Sequence, residues 1–266
     1  MTKPMVETLS QEHPAIQIKN ISYAANRRPI LHNVSLKVES GETLAVMGMS
    51  GSGKTTLIKC LAGLLKPQSG AIEIEGTDIV ALSESQIEKI RLKIGFVFQN
   101  AALFDSLTVF ENVSFGLRRH RHLKPSELAN IVNEKLALVG LTDSANLYPS
   151  ELSGGMQKRV GIARALAMEP TILLFDEPTS GLDPIIGTSI DNLILSLQEH
   201  LRITAVVVSH DVASVFRIAD HIALIHNGSV ACYGTTDEIA NCSIQMVKQF
   251  IGSYHPIPRS DRVSVH

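Results

Sequence analysis

The chain has 266 residues, 44% of them hydrophobic, enough for one large domain or two small ones, which excludes a disordered or fibrous protein. Twenty-four lysines and arginines stand against 26 aspartates and glutamates, a formal net charge of −2 that lacks the positive field used to hold nucleic acid. Three cysteines, Cys60, Cys232 and Cys242, form neither a C-x-x-C pair nor an even-numbered framework, which fits a reduced, cytosolic compartment.

The N-terminal stretch mixes Pro, Glu, Gln and His where an export signal needs an apolar run, and residues 1–14 read as an extension. IQIKNIS, LHNVSLKV and TLAVMG then read as short strands, the last entering a glycine loop at Gly48. KTTLIKCLAGLL after that loop reads as a helix, and AIEIEG and IGFVFQ return to strand character. Past Gln99 the pattern turns helical, with Leu128, Ile131, Val132, Leu136 and Val139 recurring on one helix face before Gly140. This predicts a helical subdomain over 100–157, inserted into a core formed by 15–99 and 158–234. TILLFDEP and ITAVVVSHD resume as buried strands around a helix near Ile190–Leu197, the alternation of a parallel α/β sheet. HIALIHNGSVACYG predicts a hairpin through Asn227-Gly228, and 235–266 a C-terminal helical segment and tail. The apolar runs ILLF at 172–175 and AVVV at 205–208 fall far below the roughly 18 to 20 residues that cross a bilayer, so any membrane role is expected through a partner.

GMSGSGKTT, from Gly48, fits G-x-x-x-x-G-K-S/T between a strand and a helix. Glycines permit a loop whose N–H groups face phosphate oxygens, aided by the positive end of the helix that follows. Gly48, Ser50, Gly51, Ser52, Gly53, Lys54, Thr55 and Thr56 are therefore candidate nucleotide contacts. Lys54 is expected at the β- and γ-phosphates and Thr55 on Mg²⁺. Asp176 and Glu177 leave the apolar strand TILLFDEP at the sheet edge where open parallel sheets bind ligands. Asp176 is expected to hold Mg²⁺ through water, and Glu177 to orient and deprotonate the attacking water. LRRHRHLK at 117–124 is a dense basic run that reads first as a solvated helix end, with anionic headgroups or a permease as the alternative.

With LSGGM at 152–156 placed between these two motifs, the chain from Ala15 to Gly234 resembles an ABC ATPase. The resemblance implies a RecA-like core, an antiparallel β subdomain and the helical insertion. It also implies a second copy of the chain, with two ATP molecules sandwiched so that Ser153, Gly154 and Gly155 meet the nucleotide held by the other subunit. Tyr23 resembles the adenine-stacking aromatic, with a place in the strand core as the alternative reading. Gln99 resembles the glutamine that contacts Mg²⁺ or water, Asp183 the aspartate that reaches the opposite phosphate loop, and His210 the histidine that contacts the γ-phosphate and steadies Glu177. Lys54, Gln99, Glu177 and His210 are thus the catalytic candidates, and Thr55, Gln99 and Asp176 the metal candidates. Met156 departs from the usual glutamine, which puts a polar contact from that side chain in doubt.

FQNAALFDSLTVFENVSFGLR resembles a transporter-type segment, against the alternative of the iron–sulfur-assembly ATPase, and together with SELSGGMQKRVGIARALAMEP and FDEPTSGLDPI it resembles the Mla/Mce-type lipid-transport ATPases more than amino-acid importers. That resemblance implies an integral-membrane permease, an Mce-type lipid-binding subunit, and a place at the cytoplasmic face of the inner membrane. Relatives acting on DNA or ribosomes carry coiled-coil insertions or fused ATPase domains that this sequence lacks, and nucleic acid is not expected as a partner.

Overall fold

The computed structural model describes residues 13–252. Two antiparallel strands, β1 (Ile16–Ala25) and β2 (Arg28–Val38), precede the fully buried β3 (Thr43–Met47). Helix α1 (Lys54–Leu61) leaves the glycine loop, and β4 (Ser69–Ile74), β5 (Thr77–Asp78), α2 (Glu84–Arg91) and β6 (Ile94–Val97) follow. Helices α3 (Val109–His120), α4 (Pro125–Leu138) and α5 (Gly154–Leu166) come next. The chain then alternates through β7 (Ile172–Asp176), α6 (Pro184–Leu201), β8 (Thr204–Val208) and α7 (Val212–Ile218). The hairpin β9 (His221–His226) and β10 (Ser229–Thr235) leads to two short helices, α8 (Thr236–Ala240) and α9 (Gln245–Ile251).

One sheet is antiparallel with order β2-β1-β4-β5, and the other runs β10-β9-β3-β8-β7-β6, parallel except for β10. Strands of the second sheet are apolar on both faces because both are covered. Leu44 and Val46 of β3, Ile172 and Leu174 of β7, and Val206 and Val208 of β8 pack with α1 and the antiparallel sheet. Leu173 and Phe175 of β7, with Ala205 and Val207 of β8, face the opposite way into a core shared with α3 to α6. Ala45 and Met47 of β3 join Val215, Phe216, Ile239 and Val247 in a third cluster under the C-terminal helices.

The helix predicted before Gly140 is α4, with Val132 and Leu136 fully buried. Its register places both on the side facing the core shared with α5, as the 3.6-residue period requires. The boundary expected at 157/158 falls inside α5, because the apolar side of that helix is continuous: Met156 packs on the same core as Val160, Ile162 and Ala163. Asn112, buried on α3, accepts from Phe104 N (2.8 Å), and its amide reaches the carbonyls of Phe104, Leu107 and Thr108, so one side chain shapes the 104–108 loop. In the apolar segment around that loop Val109 is buried, whereas Phe104 and Phe115 remain exposed with ring centroids 4.6 Å apart. Arg118, Arg119 and His120 close α3 at its negative end, and the basic run is mostly solvated. The N-terminal extension up to residue 12 and the tail from residue 253 lie outside the described residues.

Candidate active site

Strand β3 delivers the chain into the glycine loop with its last five residues buried, so the loop starts from a rigid base. Gly48 sits at φ 152°, where an added Cβ would lie 2.3 Å from the Ile225 carbonyl oxygen, and only glycine allows this approach to β9. Gly53 caps α1 at φ 107°, where a Cβ would meet Leu31 at 2.8 Å. The loop opens onto a cleft of about 1130 Å³ lined by Gly48, Met49, Ser50, Gly51, Gly53, Lys54, Thr55 and Thr56, together with Gln99, Glu177 and His210. Ser52 is the exception in the loop, for its side chain is buried beneath it.

Lys54 is 7% exposed and donates to the carbonyl oxygens of Gly48 (2.8 Å) and Met49 (3.1 Å). Burial lowers its pKa, while the charges of Glu177 and Asp176 oppose that shift and favour the ammonium. Thr55 Oγ1 donates to Asp176 Oδ1 at 3.3 Å, joining the start of α1 to the end of β7. Burial raises the Asp176 pKa, against the Thr55 hydrogen bond and the nearby lysines. These hydroxyl and carboxylate oxygens, with the Gln99 amide on the same cleft, are hard donors of the type Mg²⁺ prefers. So few side chains suit an ion that takes its remaining ligands from phosphate and water.

Glu177 follows β7 in the left-handed region, φ 51°, a strained setting for a residue with a side chain. Its N–H donates to the Val208 carbonyl at 2.9 Å, which locks the turn against β8. His210, two residues past the end of β8, donates from Nδ1 to Glu177 Oε2 at 2.7 Å. A carboxylate on the cleft wall held by an imidazole has the chemistry to accept a proton from a water in the cleft. Gln99 lies past the end of β6 and donates to Ser180 Oγ at 3.4 Å.

Tyr23 stands opposite Leu31 of β2, outside the residues that line this cleft. Its partly buried ring packs against the core of the antiparallel sheet. One wall of the cleft is built by Arg28, Pro29, Ile30 and His32, by the hairpin tip Asn227-Gly228, and by Phe250 of α9. The tip is tied in through Gly228 N to the Ser52 carbonyl (3.2 Å) and His32 N to the Gly228 carbonyl (2.8 Å). The dipeptide signalled a turn but not where the turn would land, and no sequence signal pointed to Phe250.

Ser153 caps α5, its Oγ accepting from Met156 N at 3.3 Å, and Asp183 caps α6, accepting from the N–H groups of Ile185 and Ile186 at 3.0 Å each. Neither residue, nor Gly154 or Gly155, lines the cleft of its own chain. Ser153 and Gly154 are exposed, and Gly155 lies against Ile186, where a Cβ would approach to 2.6 Å. The two helix starts therefore share one surface, presented outward.

The sequence pattern of the ABC transporter family matches residues 31–180, which takes in the glycine loop, α5 and the carboxylate turn. The chain belongs to the ABC transporter family. It is the family's ATPase subunit, binding and hydrolysing ATP. The chain is 42% identical over 236 residues to the intermembrane phospholipid transport system ATP-binding protein MlaF of Haemophilus influenzae, covering 89% of each protein. It is also 37% identical to the probable ribonucleotide transport ATP-binding protein mkl of Mycobacterium leprae, over 89% of this chain and 68% of that one. Among solved structures, the dimeric post-hydrolysis state of the ATP-binding cassette MJ0796 bound to ADP and Pi superposes with a TM-score of 0.76 at 36% identity, covering 83% of this chain and 98% of that one. In this ABC ATPase the matched segment contains the glycine loop and the carboxylate turn that border the cleft.

Proposed function

We propose that this ABC ATPase works as a pair of identical chains on the cytoplasmic face of a membrane and powers phospholipid movement through a separate permease and an Mce-type lipid-binding subunit. The observation that carries the cargo is the 42% identity, over 89% of both chains, to a phospholipid-transport ATP-binding protein. Among the described residues no helix is long and apolar enough to cross a membrane, so the path for lipid is assigned to the partner.

In this reading the glycine-loop N–H groups and Lys54 hold the β- and γ-phosphates. Thr55, Asp176 and Gln99 hold Mg²⁺, which when bound neutralises charge on the transferring phosphoryl group. Glu177 takes the proton of the attacking water while His210, hydrogen-bonded at 2.7 Å, holds the carboxylate in line. The outward surface of Ser153, Gly154, Gly155 and Asp183 meets the nucleotide and phosphate loop of the second copy, where the α5 N-terminus offers N–H donors to the γ-phosphate. Residues 15–99 and 158–234 act as the nucleotide-binding core, and the helices within 100–157 transmit closure of the pair to the permease.

The test is reconstitution of the purified complex in phospholipid vesicles. ATP is expected to drive lipid transfer to or from the lipid-binding subunit, and Lys54→Ala to stop it. Uptake of amino acids or ribonucleotides without ATP-dependent lipid transfer would refute the cargo while leaving the ATPase standing.

A further inference from the structure

Helix α5 does more than present Ser153 and the two glycines at its start. Lys158, one turn after Gly154, is 6% exposed and points away from the outward surface. Its Nζ donates to the backbone carbonyl of Gln99 and, at 3.3 Å, to the backbone carbonyl of Glu177. One ammonium therefore bridges the backbone of two residues whose side chains line the nucleotide cleft. The carboxylates of Glu177 and Asp176 are close enough to favour its charge against the cost of burial.

Both anchored residues belong to segments that local preference alone would not hold in place. Glu177 is at φ 51°, and Ala101 and Ala102, just after Gln99, are at φ 54° and 48°. The Glu177 turn is pinned at its N–H by Val208 and at its carbonyl by Lys158, so the direction of the carboxylate depends on both. The Gln99 segment is held by the same helix at further points: Arg164 donates to the carbonyls of Ala101 (2.6 Å) and Ala102 (2.7 Å), and Gly161 lies where a Cβ would come within 3.3 Å of Ala101. Helix α5 is thus tied directly to residues 99–102 and to the Glu177 carbonyl.

We propose that Lys158 is a positioning residue that couples the partner-facing start of α5 to Glu177 and Gln99 of its own chain, so that seating Ser153–Gly155 on one nucleotide aligns the general base on the other. The proposal rests on the reading of Glu177 as general base and of the chains as a pair. A helix transmits displacement along its axis without loss over one turn, about 5.4 Å. A misplacement of about 1 Å at a reacting group can lower a rate on the order of 100-fold.

The experiment compares the full-length chain with Lys158→Met, Lys158→Arg and Glu177→Gln, measuring ATP affinity by fluorescent-nucleotide binding and steady-state hydrolysis against ATP concentration in Mg²⁺. Lys158→Met is expected to bind ATP within about threefold of the unmodified chain, to lose roughly 10- to 100-fold in kcat with little change in KM, and to lose cooperativity in ATP. Lys158→Arg, which keeps a cation able to donate to two carbonyls, is expected to recover at least tenfold over Lys158→Met. A purely structural lysine would lower stability while leaving kcat per folded molecule and cooperativity unchanged, and that result overturns the proposal. If Lys158→Met does not fold, Lys158→Ala, which has no side-chain donor, replaces it, and unaltered kcat and cooperativity in that variant overturn the proposal equally. Glu177→Gln separates the two levels. Full turnover by Glu177→Gln removes the general-base reading, whereas an inactive Glu177→Gln beside a fully active, cooperative Lys158→Met removes only the role of Lys158.

Discussion

Replacing Glu177 by glutamine changes one property of the site while leaving its supports in place. The N–H bond to Val208 (2.9 Å) and the carbonyl bond from Lys158 (3.3 Å) are made by the backbone and survive the substitution, so stability should change by no more than about 0.5 kcal/mol. The glutamine can still hydrogen-bond His210, but it cannot take a proton from water. Loss of a general base is worth about 100- to 10,000-fold, or roughly 2.7 to 5.4 kcal/mol of barrier at 1.36 kcal/mol per tenfold. Phosphate release should fall by that factor, while ATP at about 100 times its Kd should still raise stability by about 2.7 kcal/mol, seen as an undiminished thermal shift, and trap the paired chains. Glu177→Gly and Glu177→Ala separate catalysis from backbone strain: both should be inactive, with glycine the more stable by about 1 kcal/mol because φ 51° costs it little. A folded Glu177→Gln protein with kcat within tenfold of the unmodified chain would refute the assignment of the base.

Three further outcomes are expected. Mixing a Lys54→Ala chain with a Ser153→Arg chain should restore hydrolysis above either variant alone, because one of the two shared sites then carries neither lesion; phosphate release from the mixture measures it. Asn112→Ala leaves the Phe104 N–H and three carbonyls without their amide partner, and should lower stability by about 1 to 3 kcal/mol in urea titrations while hydrolysis by the remaining folded protein persists. Glu75 accepts from Lys93 (2.6 Å) and Thr171 (2.7 Å), and the Lys93 hydrogen bond, followed by that of Thr171, holds its carboxyl below the ordinary range. The stabilisation from this partly exposed pair, about 0.2 to 1 kcal/mol, is present above the unfolded glutamate pKa of about 4.3 and is lost as pH falls through the folded value. The deficit of Glu75→Gln should accordingly be measurable by urea midpoint at pH 7 and close as pH falls through the lowered folded value.

Much of the fold was legible because its elements obey local rules. The apolar runs at 172–175 and 205–208 are buried on both faces and became adjacent parallel strands, and Asn227-Gly228 supplies the left-handed residues of a hairpin turn, at φ 47° and 78°. The limit of the helical insertion was less legible, since α5 serves both the insertion and the sheet and no break in its pattern marks residue 157.

The sequence by itself determined the glycine loop, the carboxylates at the end of β7 and the serine that caps α5, because each is a contiguous string whose backbone conformation and chemistry are set within a few residues. Only the tertiary structure decided which distant groups meet. The strand order β10-β9-β3-β8-β7-β6 places β8 beside β7, and so brings His210 to Glu177 across 33 residues. Docking of α5 on β6 brings Lys158 to the Gln99 and Glu177 carbonyls, and packing of α8 on β10 sets Cys232 and Cys242 3.7 Å apart. The register of β1 against β2 likewise sets Tyr23 opposite Leu31, a pairing that residue type alone did not give. Short-range preferences act over a turn or a strand, whereas these contacts depend on how whole elements bury their apolar faces against one another.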